Sequence, residues 1–75
     1  MAFKNYYKIL GVKRTASSLE IKKIYKELAI KYHPDINSHP KANQLFQEIH
    51  EAYQNLSDLD KRLEYTEKMN KYINY

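Results

Sequence analysis

A chain of 75 residues is long enough for one small domain and too short to enclose a roomy catalytic pocket. It contains no cysteine, which excludes a disulfide framework, a thiolate zinc site and a cysteine nucleophile, and fits a reducing compartment such as the cytoplasm. The formal net charge of +4 favours acidic partners, without distinguishing nucleic acid from an anionic membrane or an acidic protein surface. No segment resembles a signal peptide or a membrane span. We therefore expect a single cytoplasmic domain.

The first predicted helix is short and runs from Tyr6 to Leu10. Asn5 suits its N-cap, because an asparagine side chain accepts a hydrogen bond from the exposed backbone donors of a first turn. Gly11 suits its end, because glycine readily adopts the left-handed conformation that closes many helices. The expected buried contacts of this segment are Tyr7, Leu10 and Val12.

A second helix is predicted from a start signal and a stop signal. Ser17 precedes Glu20 by three residues, the spacing of a capping box in which each side chain satisfies a backbone donor of the other. Pro34 sets the end, because proline lacks a backbone donor and disfavours helical geometry in the residue before it. The predicted helix therefore extends from about Ser18 to Tyr32 or His33.

Helical periodicity divides this second helix into two faces. The face expected to meet the core consists of Ile21, Ile24, Leu28 and Tyr32. The flank beside it, which water or a partner can reach, consists of Lys22, Tyr25, Lys26 and Ala29, and His33 continues it. We expect the ring of Tyr25 to pack at the edge of the core while its hydroxyl remains available to a partner.

A third helix is predicted after a loop of about eight residues, with Pro40 in its first turn. Its buried face is expected to consist of Leu45, Phe46, Ile49, Ala52, Tyr53 and Leu56, which follow helical spacing. The loop is long enough to reverse the chain direction. We therefore expect the second and third helices to pack as an antiparallel hairpin.

A fourth helix is predicted after Ser57, which we expect to be its N-cap, with Asp60 in the first turn. The helix is expected to include Leu63 and Tyr65. The tail, residues 67–75, either continues this helix through Met69 and Tyr72 or frays. No strand is predicted anywhere in the chain.

The triplet His33-Pro34-Asp35 lies at the predicted tip of the hairpin. Each residue has an ordinary explanation, because histidine favours a helix C-terminus, proline stops a helix and aspartate suits a turn. A motif of three residues has a high rate of accidental matches. The triplet alone therefore does not establish a functional site.

Four segments of the chain match one known family in order, spacing and helix caps. These are "NYYKILGV" at 5–12, "EIKKIYKELAIKYHPD" at 20–35, "FQEIHEAYQNLSD" at 46–58 and "KR" at 61–62. They resemble the J-domain of the DnaJ, or heat-shock 40-type, co-chaperones. The resemblance implies an all-α fold of four helices, with the signature His33-Pro34-Asp35 in the loop of the long hairpin. It also implies a single domain over 1–75, with a core of about 5–66.

This resemblance implies a module that docks on a DnaK-type, seventy-kilodalton heat-shock chaperone and stimulates its ATP hydrolysis, so that the chaperone closes on a client. Such a module is not itself an enzyme and needs no cofactor, metal or small-molecule substrate. By position, the residues implied to bind the partner are His33, Pro34 and Asp35 in the loop and Lys22, Tyr25 and Lys26 on the second helix. We expect a cytoplasmic monomer that requires neither nucleic acid nor a membrane.

Three residues depart from the pattern of the family. Glu27 and Ile36 replace residues that are often basic, and Thr66 stands where an aspartate often ends the fourth helix. The first two remove positive charge near the docking face, which bears on the affinity for an acidic partner or on its identity. At Ile36, ordinary variation in a loop is the stronger explanation, and a contact with the partner is the alternative.

Two other functions remain open from the sequence. A small basic helical module that binds nucleic acid would explain the high isoelectric point and the lysines of the second helix. A degenerate J-like domain retained as an interaction scaffold is suggested by Glu27 and Ile36, and the intact signature argues against it. Metal binding by His33, His39 and His50 with Asp35 is not favoured, because these residues do not show the short, paired spacing of a zinc site.

Overall fold

The computed structural model describes residues 4–73 and contains four helices and, within that range, no strand. The helices are α1 (Tyr6–Leu10), α2 (Ser18–Lys31), α3 (Ala42–Ser57) and α4 (Leu59–Ile73). The predicted all-α class with four helices is therefore confirmed. The last two residues of the predicted tail, 74–75, lie outside the described residues.

The α1 helix has the predicted bounds and the predicted caps. The Asn5 side chain accepts a hydrogen bond of 3.1 Å from the backbone N–H of Lys8. Gly11 has a φ of 71°, and its N–H donates to the carbonyl of Lys8 at 3.1 Å. Because the left-handed conformation costs little only for glycine, Gly11 ends the helix at this position.

The α2 helix begins where the sequence predicts and ends slightly earlier. The Ser17 hydroxyl accepts from the backbone N–H of Glu20 at 3.1 Å, while the reciprocal bond of a capping box is not formed within residues 4–73. The helix stops at Lys31, and Tyr32 is its C-cap. The predicted end at Tyr32 or His33 is therefore one or two residues too late. The steric clash of Pro34 with the residue before it disfavours helical geometry there, so the last helical turn ends before His33.

The start of α3 differs from the prediction, because Pro40 precedes the helix. The N–H of Ala42 donates to the carbonyl of His39 at 3.0 Å, which closes a turn with Pro40 at its second position. Proline suits that position because its fixed φ matches a type I turn. The fixed φ of Pro40, which led to its predicted place in the first turn of the helix, is used instead in the β-turn that precedes α3.

The N-cap of α4 is Asp58 and not Ser57, which is the last residue of α3. The Asp58 carboxylate accepts from the backbone N–H groups of Asp60 and Lys61 at 3.0 and 3.1 Å. A carboxylate is favoured there because its charge also interacts with the positive end of the helix dipole. The helix continues to Ile73, so the predicted tail is helical as far as the structure describes it, and Met69 is buried in it.

Residue pairing along α2 and α3 confirms the antiparallel hairpin. Tyr25 contacts Tyr53, while His33, further along the chain, contacts Phe46, which is earlier on α3. The two helices therefore run in opposite directions, and the loop between them, residues 32–41, forms the tip of the hairpin. Of the predicted face of α3, Leu45 lies beyond the core and is exposed.

The core lies where α1, α2 and α4 meet α3, which contacts all three. Its buried members are Tyr7, Leu10, Ala16, Ile21, Ile49, Ala52, Leu56, Tyr65 and Met69. Ile21 and Leu56 are completely enclosed. Since a small domain has few large side chains to bury, this cluster supplies most of the hydrophobic stabilisation.

An arginine on α4 fixes the segment that leads into α2. The Arg62 guanidinium donates to the carbonyls of Ala16 and Arg14 at 2.6 and 3.1 Å and lies against the ring of Tyr7. Thr66, one turn further, forms a hydrogen bond of 2.9 Å with the hydroxyl of Tyr7. The α4 helix therefore holds α1 and the start of α2 together.

Within residues 4–73, the helices are too short or too polar for any of them to cross a lipid bilayer.

Candidate functional site

The backbone of the hairpin tip is organised around His33. Its Nδ1 accepts from the backbone N–H of Asp35 at 3.1 Å, and its carbonyl accepts from the N–H groups of Ile36 and Asn37 at 3.0 and 2.8 Å. Three consecutive donors of the loop are thereby satisfied by one residue. The histidine of the signature therefore also determines the conformation of the loop.

The hydrogen bond to Nδ1 determines where the His33 imidazole has its proton. An Nδ1 that accepts a hydrogen bond carries no hydrogen, so the proton of the neutral ring lies on Nε2. The Asp35 carboxylate lies 3.7 Å from the same Nδ1. That distance does not make an ion pair in this state, because the nitrogen has no hydrogen to share with the carboxylate. The tip therefore offers an Nε2–H donor and a carboxylate as separate groups.

Exposure differs between the residues of the tip. The side chain of Asp35 is 90% exposed, and that of His33 is 44% exposed. Pro34 is also exposed. Ile36, which departs from the family pattern, is 69% exposed and contributes no core contact. A partner therefore has direct access to the carboxylate and to one edge of the imidazole.

Two residues that the sequence did not predict to act at the tip support this loop. The ring of Phe46 meets the ring of His33 at 71°, with 5.4 Å between their centroids. The Asn37 side-chain amide donates to the carbonyl of Lys31 at 3.1 Å, and its oxygen accepts from the N–H of His39 at 2.9 Å. The preference of asparagine for turns was a usable signal for Asn37, whereas the contact of Phe46 depends on the packing of α3.

The exposed face of α2 is basic. Lys22 and Lys26 lie on it as predicted, and Lys23, which was not predicted as a site residue, lies beside them. Together with Leu19, which is 79% exposed, they line a shallow depression of about 290 Å³. No carboxylate within residues 4–73 forms an ion pair with these three lysines. Their charges are therefore available to an acidic surface.

Tyr25 is half-buried at the edge of this basic face. Its ring stacks on that of Tyr53, with 4.0 Å between centroids and 10° between planes. Its hydroxyl oxygen lies 3.2 Å from Nδ1 of His50. The ring packs as expected, but the hydroxyl is already engaged by a side chain from α3, which the α2 sequence alone could not indicate.

Three groups with displaced pKa values, Tyr6, Glu51 and Tyr65, lie at the contact between α1, α3 and α4. Burial raises the pKa of Tyr6 to about 12, aided by its hydrogen bond of 2.8 Å to the Glu51 carboxylate. That hydrogen bond, followed by one from Lys4, lowers the pKa of Glu51. Burial also raises the pKa of Tyr65. These shifts concern the stability of the fold.

A family model described as the DnaJ domain matches residues 5–66. The chain belongs to this family. The curved DNA-binding protein of Coxiella burnetii is 52% identical over 65 residues, which are 87% of this chain and 21% of that protein. The chaperone protein DnaJ of a Geobacillus species is 55% identical over 65 residues, which are 87% of this chain and 17% of that protein. The chain thus spans about a fifth of the length of these curated relatives.

Solved J-domains have the same arrangement of helices. The J-Trx1 fragment of ERdj5 superposes with a TM-score of 0.80 and 45% sequence identity, covering 87% of this chain and 32% of that one. The J-domain resemblance read from the four segments is therefore confirmed. The hairpin of α2 and α3 is the hairpin of a J-domain, and the His33-Pro34-Asp35 triplet occupies the loop that joins its two helices.

Proposed function

We propose that this J-domain docks on a DnaK-type, seventy-kilodalton heat-shock chaperone and stimulates its ATP hydrolysis, which promotes client capture during protein folding. The observation that carries the proposal is the preorganised, exposed loop of His33, Pro34 and Asp35 at the end of a rigid hairpin. A loop whose backbone donors are already satisfied loses little conformational freedom when it binds. Its polar groups are therefore well suited to recognise a partner.

Each proposed contact has a distinct physical role. The Asp35 carboxylate offers a directional, charge-assisted acceptor to a basic group of the chaperone. Lys22 and Lys26 attract an acidic surface and accelerate the encounter in a salt-dependent way. Pro34 restricts the loop between the imidazole and the carboxylate. Lys23 belongs to the same basic face and is included in the proposed contact.

The proposed role requires no catalysis by the J-domain. The chaperone supplies the nucleotide site, so the J-domain hydrolyses nothing itself and binds no cofactor. We propose that residues 1–75 form one J-domain, which is monomeric and acts in the cytoplasm. Client choice and further partners belong to the protein as a whole and are not assigned to these residues.

The test is single-turnover ATP hydrolysis by the chaperone, with the wild type and the variants His33→Gln and Asp35→Asn. Hydrogen bonds to charged groups contribute about 1.5–3 kcal/mol, so we expect Asp35→Asn to lower the stimulation by roughly 10-fold or more. His33→Gln is expected to lower it comparably, because it removes both the ring contact and the Nδ1 acceptor. Equal stimulation by all three proteins would refute the mechanism.

Matched controls separate the loop from general effects of charge and histidine content. His39→Gln changes another exposed histidine of the same loop, and Asp60→Asn removes another exposed carboxylate, on α4. Both are expected to stimulate like the wild type. A titration with the nucleotide-binding domain of the chaperone distinguishes loss of docking from docking without stimulation. Docking of the wild type without stimulation would favour the degenerate scaffold suggested by Glu27 and Ile36.

Nucleic-acid binding is the second candidate function, and the unpaired lysines on α2 are the observation in its favour. A relative named a curved DNA-binding protein is consistent with it, although this chain spans only 21% of that protein. Binding through phosphates requires a steep loss of affinity for a DNA duplex as salt rises, and insensitivity to Asp35→Asn. We favour docking on the chaperone, because charge on α2 alone does not explain the ordered loop.

A further inference from the structure

We propose that His50, on α3, is a positioning residue for docking, because it holds the Tyr25 hydroxyl at the edge of the basic face of α2. The inference rests on the proposed function and deepens it. A residue of α3 would then contribute to docking in addition to the residues of α2 and of the hairpin tip.

The geometry gives Tyr25 two independent restraints from α3. The ring of Tyr53 stacks on it and restricts the plane of the phenol. Nδ1 of His50 lies 3.2 Å from the phenol oxygen, and the two ring centroids are 6.2 Å apart at 43°. Because Tyr53 follows His50 by three residues, both restraints come from the same side of α3. Stacking limits the tilt of the ring, and the hydrogen bond fixes where its oxygen lies.

The hydrogen bond also determines what Tyr25 offers to a partner. A phenol hydroxyl has one donor and can accept further hydrogen bonds. When its hydrogen is donated to an unprotonated Nδ1 of His50, only the acceptor capacity remains. We therefore expect the group that meets Tyr25 to be a donor, such as a backbone amide, a lysine or an arginine. A partner that presents an acceptor at this point would compete with His50 for the only hydrogen.

Preorganisation explains why such a bond affects affinity. A tyrosine at an interface that is ordered before binding saves the cost of ordering it on binding, which corresponds to roughly 2- to 10-fold in affinity for one side chain. The His33-Pro34-Asp35 loop does not contact His50 among the interactions of the described residues. Loss of His50 should therefore weaken docking and leave the maximal stimulation of the docked complex unchanged.

A double-mutant cycle in the ATP hydrolysis assay tests the inference. Tyr25→Phe and His50→Leu are each expected to raise the half-maximal concentration by roughly 2- to 10-fold, with unchanged maximal stimulation. The double variant is expected to dock no more weakly than Tyr25→Phe, because Tyr25→Phe already removes the hydrogen bond to His50 together with the acceptor that meets the partner. His50→Asn is expected to restore docking, because the asparagine oxygen lies close to the position of Nδ1.

His39→Leu is the control, since it removes an exposed histidine that does not contact Tyr25. Thermal unfolding of every variant separates a loss of docking from a loss of fold. If His50→Leu is less stable than the wild type, His50→Gln replaces it in the comparison. Glutamine is polar, but its longer side chain carries the oxygen past the position that Nδ1 of His50 occupies. The inference would be overturned if the His50 variant used in the comparison docked like the wild type. It would also be overturned if the effects of that variant and of Tyr25→Phe on the half-maximal concentration were additive. A wild type that neither docks nor stimulates would instead overturn the proposed function.

Discussion

The imidazole of His33 meets the ring of Phe46 nearly at a right angle, with 5.4 Å between the two centroids. This contact joins the loop at the hairpin tip to α3. The backbone of the loop is joined to α2 by the bond from the Asn37 amide to the Lys31 carbonyl. The α3 helix therefore contacts the residue that organises the loop, and α2 holds the loop backbone through Asn37. The conformation of the signature thus depends on tertiary packing.

Phe46→Leu is expected to reduce stimulation of the chaperone without unfolding the domain. The leucine retains apolar bulk but loses the aromatic contact, which contributes about 0.5–1.5 kcal/mol for such pairs and corresponds to roughly 2- to 13-fold. Single-turnover hydrolysis measures the effect, and thermal unfolding checks the fold. If Phe46→Leu stimulates the chaperone as strongly as the wild type, the contact with Phe46 is not required to position the ring of His33.

Local signals explain why α1 could be predicted from the sequence alone. Asn5 and Gly11 act through bonds to residues within a few positions, so the bounds Tyr6–Leu10 follow from neighbours in the chain. The start of α4 was predicted less well, because Ser57 and Asp58 are adjacent and both suit an N-cap. The choice depends on how far α3 continues, which is decided by packing of α3 against the rest of the molecule.

The candidate site shows the same division between local and tertiary information. The exposure of Lys22 and Lys26 follows from the helical period of α2, and the structure agrees with it. The partners of Tyr25 depend on the register between α2 and α3, which periodicity within one helix does not contain. The engagement of its hydroxyl by His50 therefore required the packed hairpin.

Gly11→Ala is expected to destabilise the domain by about 1–2 kcal/mol, the cost of a left-handed conformation for a residue with a side chain. A Cβ at this position would meet no atom within 4 Å, so strain of the backbone is the only penalty. For a domain of this size, the melting temperature should fall by about 4–8 °C per kcal/mol. Gly11→Asn should lose less, because asparagine tolerates this conformation better. A variant with alanine as stable as the wild type would contradict the assigned role.

Tyr65→Phe is expected to lower the free energy of unfolding by about 1–3 kcal/mol. The hydroxyl of Tyr65 accepts from the backbone N–H of Tyr6 at 2.9 Å and donates to the carbonyl of Lys4 at 2.5 Å. Its removal leaves a donor at the start of α1 without this acceptor. Urea unfolding measures the loss. Tyr53→Phe is the matched control, because the Tyr53 hydroxyl forms no hydrogen bond within residues 4–73, and equal losses would argue against the role of Tyr65.

Stability is expected to decline at alkaline pH because of Tyr6. Burial, followed by the hydrogen bond to Glu51, raises the pKa of Tyr6 from 10.0 to about 12 in the folded protein. The resulting stabilisation is fully present below the unfolded pKa and is lost as pH rises through the folded pKa, between about 10 and 12. Urea unfolding across this range should show a shallower decline for Tyr6→Phe. An identical pH dependence of the two proteins would show that Tyr6 does not contribute.

Glu27→Lys is expected to tighten docking on the chaperone, most clearly at low salt. Glu27 is exposed on α2, one turn after Lys23 and beside Lys26, and forms no ion pair within the described residues. The substitution replaces a charge that opposes attraction to an acidic surface with one that favours it. Exposed charge contacts contribute about 0.2–1 kcal/mol, so the half-maximal concentration should fall by roughly 1.5- to 5-fold.

Glu67→Lys is the matched control for Glu27→Lys, because it makes the same change of charge at an exposed position of α4. If net charge alone governs docking, both variants should tighten it equally at low salt. If the face of α2 meets the partner, Glu27→Lys should have the larger effect, and raising the salt concentration should reduce the difference. A weaker interaction of Glu27→Lys would instead mean that the chaperone presents a basic group to this position. The negative charge of Glu27 would then favour a chaperone with a basic group at this position, in addition to weakening attraction to an acidic surface.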